Sequence, residues 1–184
     1  LVAPSVMDAF FTGSEPVALA VYEWSGRFNQ ADLLEWTMIE TEADLLRAAD
    51  VIRNSQRSHD DFPTAMGYAL GYGARKIERG PACLFRTLDI AGDGISNDGF
   101  TPQQAYDAFP LDDVTVNGLV VNAGDFEGET ELIPFFREQV IRGPGAFIEV
   151  AQGFADYSDA MERKLIRELG VFAIGGHGKT ATAG

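Results

Sequence analysis

Residues 88–99, LDIAGDGISNDG, run from an apolar segment straight into a loop that carries Asp93, Asn97 and Asp98 among three glycines. In open α/β sheets the strands deliver their carboxyl ends to the ligand site, so a strand that runs into such a loop points to that fold class. An acidic loop in that position offers hard oxygen donors, which suit Mg²⁺, Mn²⁺ or Ca²⁺ better than zinc. Only two histidines exist to serve a nitrogen-rich site. A phosphate cradle would want bare amides and a lysine, so anion binding is the weaker reading.

Outward from that strand, apolar runs alternate with helical periodicities. Residues 17–24, VALAVYEW, read as a strand covered on both faces, although periodicity alone does not exclude a buried helix. Residues 33–40, LLEWTMIE, alternate, with Leu34, Trp36 and Met38 on one side, and the short spacing between the two runs predicts a hairpin. Thr41 before acidic residues caps a helix with Leu45, Ala48, Ala49 and Ile52 on one face. From Thr64 to Arg79 a helix follows whose glycines at 67, 71 and 73 call for close packing. A strand over 82–91 comes next. Beyond the opening motif the pattern predicts a helix near 102–109, a strand over 114–121, a helix over 131–141, a strand over 146–151 and a helix over 154–169. In the last helix Phe154, Tyr157, Met161 and Leu165 form an apolar stripe expected to face the core. This alternation predicts an α/β fold: a doubly wound, mostly parallel central sheet with helices on both faces and one antiparallel edge strand. One domain over 1–170 is expected, then a short apolar segment and a flexible tail over 171–184.

Composition narrows the function. The 28 acidic against 14 basic residues give a net charge of -14, which repels nucleic-acid backbones and anionic lipid headgroups and leaves cations or basic partners favoured. No segment approaches the roughly 20 continuous apolar residues of a membrane-spanning helix. Cys83 is the single cysteine; it excludes an internal disulfide and, lying in an apolar run, reads as a packed thiol rather than a nucleophile. Residue 1 is not Met and no basic-then-apolar leader follows, so a start after processing or inside a longer chain is expected.

Taken together, VALAVYEWSG, PTAMGYAL, LDIAGDGISNDG, VTVNGLVV, FFREQVIRGPGAF and FADYSDAMERKLIREL resemble bacterial proteins of the DUF1194 group, which look like divergent von Willebrand factor type A domains. The resemblance runs from about residue 3 to residue 170. It implies a non-enzymatic, metal-ion-dependent protein interaction module, periplasmic or secreted, with Mg²⁺ or Mn²⁺ as its ion and Ca²⁺ less favoured. The adhesion site of such domains combines a DxSxS motif after the first strand, a threonine before a later helix and an aspartate after the fourth strand. Thr64 matches the threonine and Asp93 the aspartate, so these two are the expected metal ligands. No DxSxS element occurs after a strand. Residues 1–12 read as the remainder of the first helix, so the central strand is expected to be absent as well, with VFAI at 171–174 as a candidate filler. The implied partner is another protein, through an acidic side chain that completes the metal site or within a multi-subunit complex.

Other stretches of the chain mimic functional motifs. DYSDA at 156–160 mimics a broken DxSxS but begins inside a helical stripe. AIGGHGKT at 173–180 fits a relaxed phosphate-binding loop, with Gly178, Lys179 and Thr180, but no helix length follows to hold a phosphate. His59, Asp60 and Asp61 read as a solvated loop, with either aspartate a candidate to support the metal from behind, and Asn97 and Asp98 are candidates to tune it through water. Arg86 and Asp89 inside a strand point to a structural ion pair. Two other functions stay open: a metal-free structural or accessory subunit of a larger bacterial assembly, and a nucleotide-binding enzyme that uses the tail.

Overall fold

Asp93 follows the carboxyl end of a parallel strand. The computed structural model describes residues 1–56, 62–122 and 128–175. In chain order these form α1 (Pro4–Phe10), the hairpin β1 (Val17–Ser25) and β2 (Asn29–Ile39), α2 (Glu42–Asn54), α3 (Met66–Glu78), β3 (Thr87–Gly92), α4 (Pro102–Ala108), β4 (Thr115–Asn122), α5 (Ile133–Phe135), β5 (Ile148–Gln152) and α6 (Tyr157–Gly175). Strands β3, β4 and β5 pair in parallel in that spatial order, and β1 pairs antiparallel with β2. Helices α3, α4 and the α5 region cover one face, packing Met66, Leu70, Tyr106 and Phe136 against Leu88, Ile90 and Val116. The other face carries α1, α2 and α6. The doubly wound α/β architecture with an antiparallel edge strand is therefore the observed one.

Local chemistry accounts for the element boundaries. Thr41 and Asp44 form a reciprocal capping box on α2, and Thr101 and Gln104 form another on α4, so each helix starts with its orphan amides satisfied. The glycines of α3 are sites of contact. A Cβ on Gly67 would strike the Phe100 carbonyl and stand 2.8 Å from that of Thr101, and one on Gly73 would stand 2.6 Å from Leu88. Only a helix bare at these positions can lie this close to β3 and to the segment entering α4.

The structure corrects several expectations. In the hairpin the register shifts twice, between Leu19 and Val21 and between Val21 and Tyr22. Bulged residues reverse the alternation of β2, so Leu34 and Ile39 are buried while Met38 is 41% exposed. Strand β3 begins only at Thr87, which leaves Cys83 exposed rather than packed and puts Arg86 outside the strand. Helix α3 begins at Met66, two residues after Thr64. The 131–141 helix is wound as π turns, Gly128–Leu132 and Phe136–Val140, on either side of α5 with its Pro134, which lacks an amide to donate. Residues 171–174 continue α6 and are helical, so they are not a filler strand.

The last helix departs furthest from its pattern. Phe154 is 67% exposed and Tyr157 lies at the surface, while Ala160, Lys164 and Glu168 make the buried face. Lys164 is fully buried and pairs with Asp89 of β3 and with Glu168 one turn on. Asp89 thus has the structural ion pair expected of it, with Lys164. Asn117 of β4 completes the network, donating to Glu168 Oε1 at 2.6 Å and accepting the Phe147 amide at 3.0 Å. Burial, and then the hydrogen bond and charge of Asp89, push the Glu168 carboxyl up to about 8, against the opposing pull of Lys164.

Two measurements test this packing. Gly67→Ala is expected to destabilise the fold by about 2 kcal/mol or more, because its methyl meets backbone that cannot turn aside; chemical denaturation reads the loss. Glu168 carries its proton in the folded state up to about 8 and in the unfolded state only to about 4.5. Its contribution to stability is therefore complete below 4.5 and is lost as pH rises through 8, by at most about 1.4 kcal/mol per pH unit for one proton. Denaturation midpoints taken across that window should fall for the native chain and stay flatter for Glu168→Gln.

Candidate functional site

Three chain segments meet at the rim where β1 and β3 end: the hairpin turn after Ser25, the extended residues 62–65 that lead into α3, and the loop 93–99. Backbone groups bind them. The Thr64 carbonyl accepts the amides of Asn97 at 2.9 Å and Asp98 at 3.2 Å, and the Thr64 amide donates to Asn97 Oδ1 at 2.9 Å. Ser96 Oγ accepts the Met66 amide at 3.2 Å, so the first turn of α3 is capped by a side chain from a different loop. Gly99, at φ +72°, lets the loop turn away above Tyr68, where a Cβ would meet the ring. From the hairpin, the Gly26 amide donates to the Pro63 carbonyl at 2.7 Å, and Arg27 grips Asp98 Oδ1 through Nη2 at 2.6 Å and Nε at 2.8 Å.

These bonds sort the polar side chains of the rim into two groups. Asn97, Ser96 and Asp98 are committed to lacing the loops, and the Arg27 hydrogen bond holds the Asp98 carboxyl below the usual carboxylate range. Asn97 and Asp98 thus serve as structural ties between the loops. Among the described residues, the Thr64 hydroxyl and the Asp93 carboxylate make no hydrogen bond or ion pair. Thr64 is half-buried and Asp93 exposed. Their loops converge closely enough that a Cβ on Gly94, the residue after Asp93, would stand 3.1 Å from Thr64 Oγ1.

A hydroxyl and a carboxylate are hard oxygen donors and fit Mg²⁺ or Mn²⁺ in kind, while falling short of six in number. No group of three or more His, Cys, Asp or Glu side chains able to hold a metal occurs among the described residues. His59, Asp60 and Asp61 lie outside the described residues, as do Gly178, Lys179 and Thr180. Asp156 of the DYSDA decoy accepts the Gln152 amide at 2.9 Å and pairs with Arg163, a local structural role. Around the rim, Phe28 is 85% exposed and Phe62 half exposed, with Tyr68 stacked on Phe100 behind them at 4.1 Å. Arg27, Ser96 and this aromatic border are the parts sequence reasoning missed; the glycine-arginine turn between two strands was the only local sign of the first.

A family model described as "Protein of unknown function (DUF1194)" matches residues 1–172. No curated protein matches the chain. Among solved structures, the chain is similar to proximal thread matrix protein 1 from the mussel byssus, with a TM-score of 0.63 and 18% identity over 90% of this chain and 40% of that one. A second structure of that protein, described as having a zinc occupied MIDAS motif, gives 0.59 and 17% over the same shares. The von Willebrand factor type A protein from Catenulispora acidiphila gives 0.62 and 13% over 90% of this chain and 37% of that one. At these identities the likeness shows the fold alone, one shared with the von Willebrand factor type A protein, and the chain spans about two fifths of each neighbour's length.

The lacing has a direct test. Asn97→Ala leaves the half-buried Thr64 amide without its acceptor, at an expected cost of about 1–2 kcal/mol. Hydrogen exchange at Thr64 and Met66 should quicken while exchange in β4 stays slow, and unchanged exchange at Thr64 would show that the Asn97 bond carries no weight.

Proposed function

The chain belongs to the DUF1194 family, and from that premise we propose that it is a metal-ion-dependent protein interaction module, non-enzymatic, with Thr64 and Asp93 as its two ligands for Mg²⁺ or Mn²⁺. One observation carries the reading: the Thr64 hydroxyl and the Asp93 carboxylate stand uncommitted on two converging loops, at a rim where the buried Ser25 hydroxyl that ends β1 likewise lacks a hydrogen-bond partner. A bound divalent ion would supply an electrophilic centre for a partner's carboxylate. The residues of this chain do the rest. Asn97 and Ser96 fix the Thr64 backbone, Arg27 keeps the Asp98 charge away from the ion by pairing with it, and Phe28 and Phe62 offer apolar contact beside it. A partner carboxylate meeting such an ion within an apolar border would combine charge-assisted and hydrophobic recognition. The net charge of -14 favours the cation first, which then reverses the local sign that an acidic partner meets. A periplasmic or secreted place of action goes with this reading, supported by the byssus matrix protein among its structural neighbours. No helix among the described residues is long and apolar enough to cross a membrane.

A second reading, a metal-free structural subunit of an assembly, draws on the shortage of ligands: two protein oxygens hold a hard cation weakly. Isothermal calorimetry separates the two. Titration with Mg²⁺ and Mn²⁺ is expected to give saturable heat with the native chain, none with Asp93→Ala, and affinity weakened at least about tenfold with Thr64→Ala, equivalent to about 1.4 kcal/mol. Heats from the native chain and Asp93→Ala that cannot be told apart would remove the ion from the function and leave the structural subunit.

A further inference from the structure

The entry to β3 presents an apolar surface at the end of the molecule opposite the rim. The six residues of β3 separate the two, a span of roughly 20 Å at ~3.3 Å per residue. Between α3 and β3 run residues 80–86, GPACLFR, and every one from Pro81 to Arg86 is exposed. The chain bends at Leu84 and Phe85, which are 86% and 58% exposed. A single apolar side chain in water is ordinary, but five exposed in succession, Pro81 through Phe85, are the mark of a surface with a function. No residue of 79–86 lines the cavity of about 550 Å³ that lies between β1 and β3, so the exposure of this loop is separate from that opening.

Both ends of the loop are held by the core. Gly80 lies over the Trp36 ring, where a Cβ would stand 2.6 Å from the indole, and Trp36 Nε1 donates to the Lys76 carbonyl at 3.0 Å. The Gly80 amide donates to the Ile77 carbonyl at 3.1 Å, and the Arg86 carbonyl accepts the Thr115 amide at 3.0 Å. The middle projects as a convex tip, a shape suited to entering another phase and not to receiving a ligand. Charge narrows the partner. With 28 acidic residues against 14 basic, an arginine of this chain is expected to have a carboxylate beside it. Arg75, Arg79 and Arg86 are exposed and make no ion pair among the described residues. The acidic side chains on the adjoining segments are Glu78, Asp112 and Asp113, and Asp112 is paired with Arg142 at 3.9 Å. Arg75 lies over the Phe109 ring at 5.5 Å, which leaves Arg79 and Arg86 to flank the tip, one on each side.

We infer that residues 79–86 are a lipid-contacting tip: Leu84 and Phe85 enter the boundary between headgroups and acyl chains of a zwitterionic phospholipid surface, while Arg79 and Arg86 stay at its phosphates. A guanidinium holds a phosphate through two parallel N–H donors. An apolar tip between two such groups matches the layering of that surface, phosphate outside and hydrocarbon within. The net charge of -14 opposes a strongly anionic membrane, so the favoured phosphate is one whose own headgroup carries a compensating ammonium. Two inserted side chains give reversible association. A protein held this way turns the Thr64 and Asp93 rim away from the bilayer, toward whatever approaches from solution. The inference requires no metal and does not rest on Thr64 or Asp93.

The test is flotation of the native chain with phosphatidylcholine vesicles in the presence of a chelator, so that its outcome is independent of the ion. A saturable fraction is expected to float. The double variant Leu84→Ser, Phe85→Ser is expected to lower the partition coefficient at least about tenfold, and Arg79→Gln with Arg86→Gln about threefold. Leu84→Ser alone should also weaken flotation at an unchanged melting temperature, which separates lost contact from lost folding. A polarity-sensitive dye on Cys83, the single and exposed thiol, is expected to shift to the blue on the vesicles, and replacing half of the lipid by phosphatidylglycerol to weaken binding. No flotation, or equal flotation of the native chain and Leu84→Ser, would overturn the inference, as would flotation only with phosphatidylglycerol present. Sedimentation as a dimer that Leu84→Ser abolishes would overturn it too and assign the tip to a second copy.

Discussion

The peptide group of Thr64 is the hinge on which the rim depends. Its carbonyl takes two amides from the loop after β3 and its own amide goes to Asn97 of the same loop, so both polar atoms of one residue are consumed by a segment some thirty residues away. Each such bond contributes about 1 kcal/mol, and together they fix the entry of α3 against the exit of β3. Because the main chain is satisfied by this lacing, the Thr64 side chain is not needed for it. The same holds for Asp93, whose neighbours Ser96, Asn97 and Asp98 make the ties. Structure and chemistry are thus divided among adjacent residues.

What the sequence made legible was local. The Thr41 cap, the hairpin and the strand and helix alternation depend on residues within a few positions of one another, and they are readable for that reason. The β2 alternation was misread because a bulge shifts parity without a sequence mark, so Ile39 rather than Met38 faces inward. The α6 stripe was misread for a different cause. A lysine at a core position looks solvated until Asp89 on β3 and Glu168 on the next turn are known to surround it, and neither is visible from the helix alone. At the site, Thr64 and Asp93 could be named from the strand-end position and the family resemblance. Arg27 could not, since its partner Asp98 is 71 residues distant.

The charges held by α6 are shielded unequally. Lys164 is fully sequestered, yet the Asp89 side chain retains 36% of its exposure, and both residues line the cavity. A pair with one member dry and the other wet is held less tightly than one shielded on all sides, since attraction grows as the surrounding dielectric falls. The Glu168 carboxyl, buried beside them, keeps its proton up to about 8 and so adds no second negative charge next to Asp89 over the neutral range.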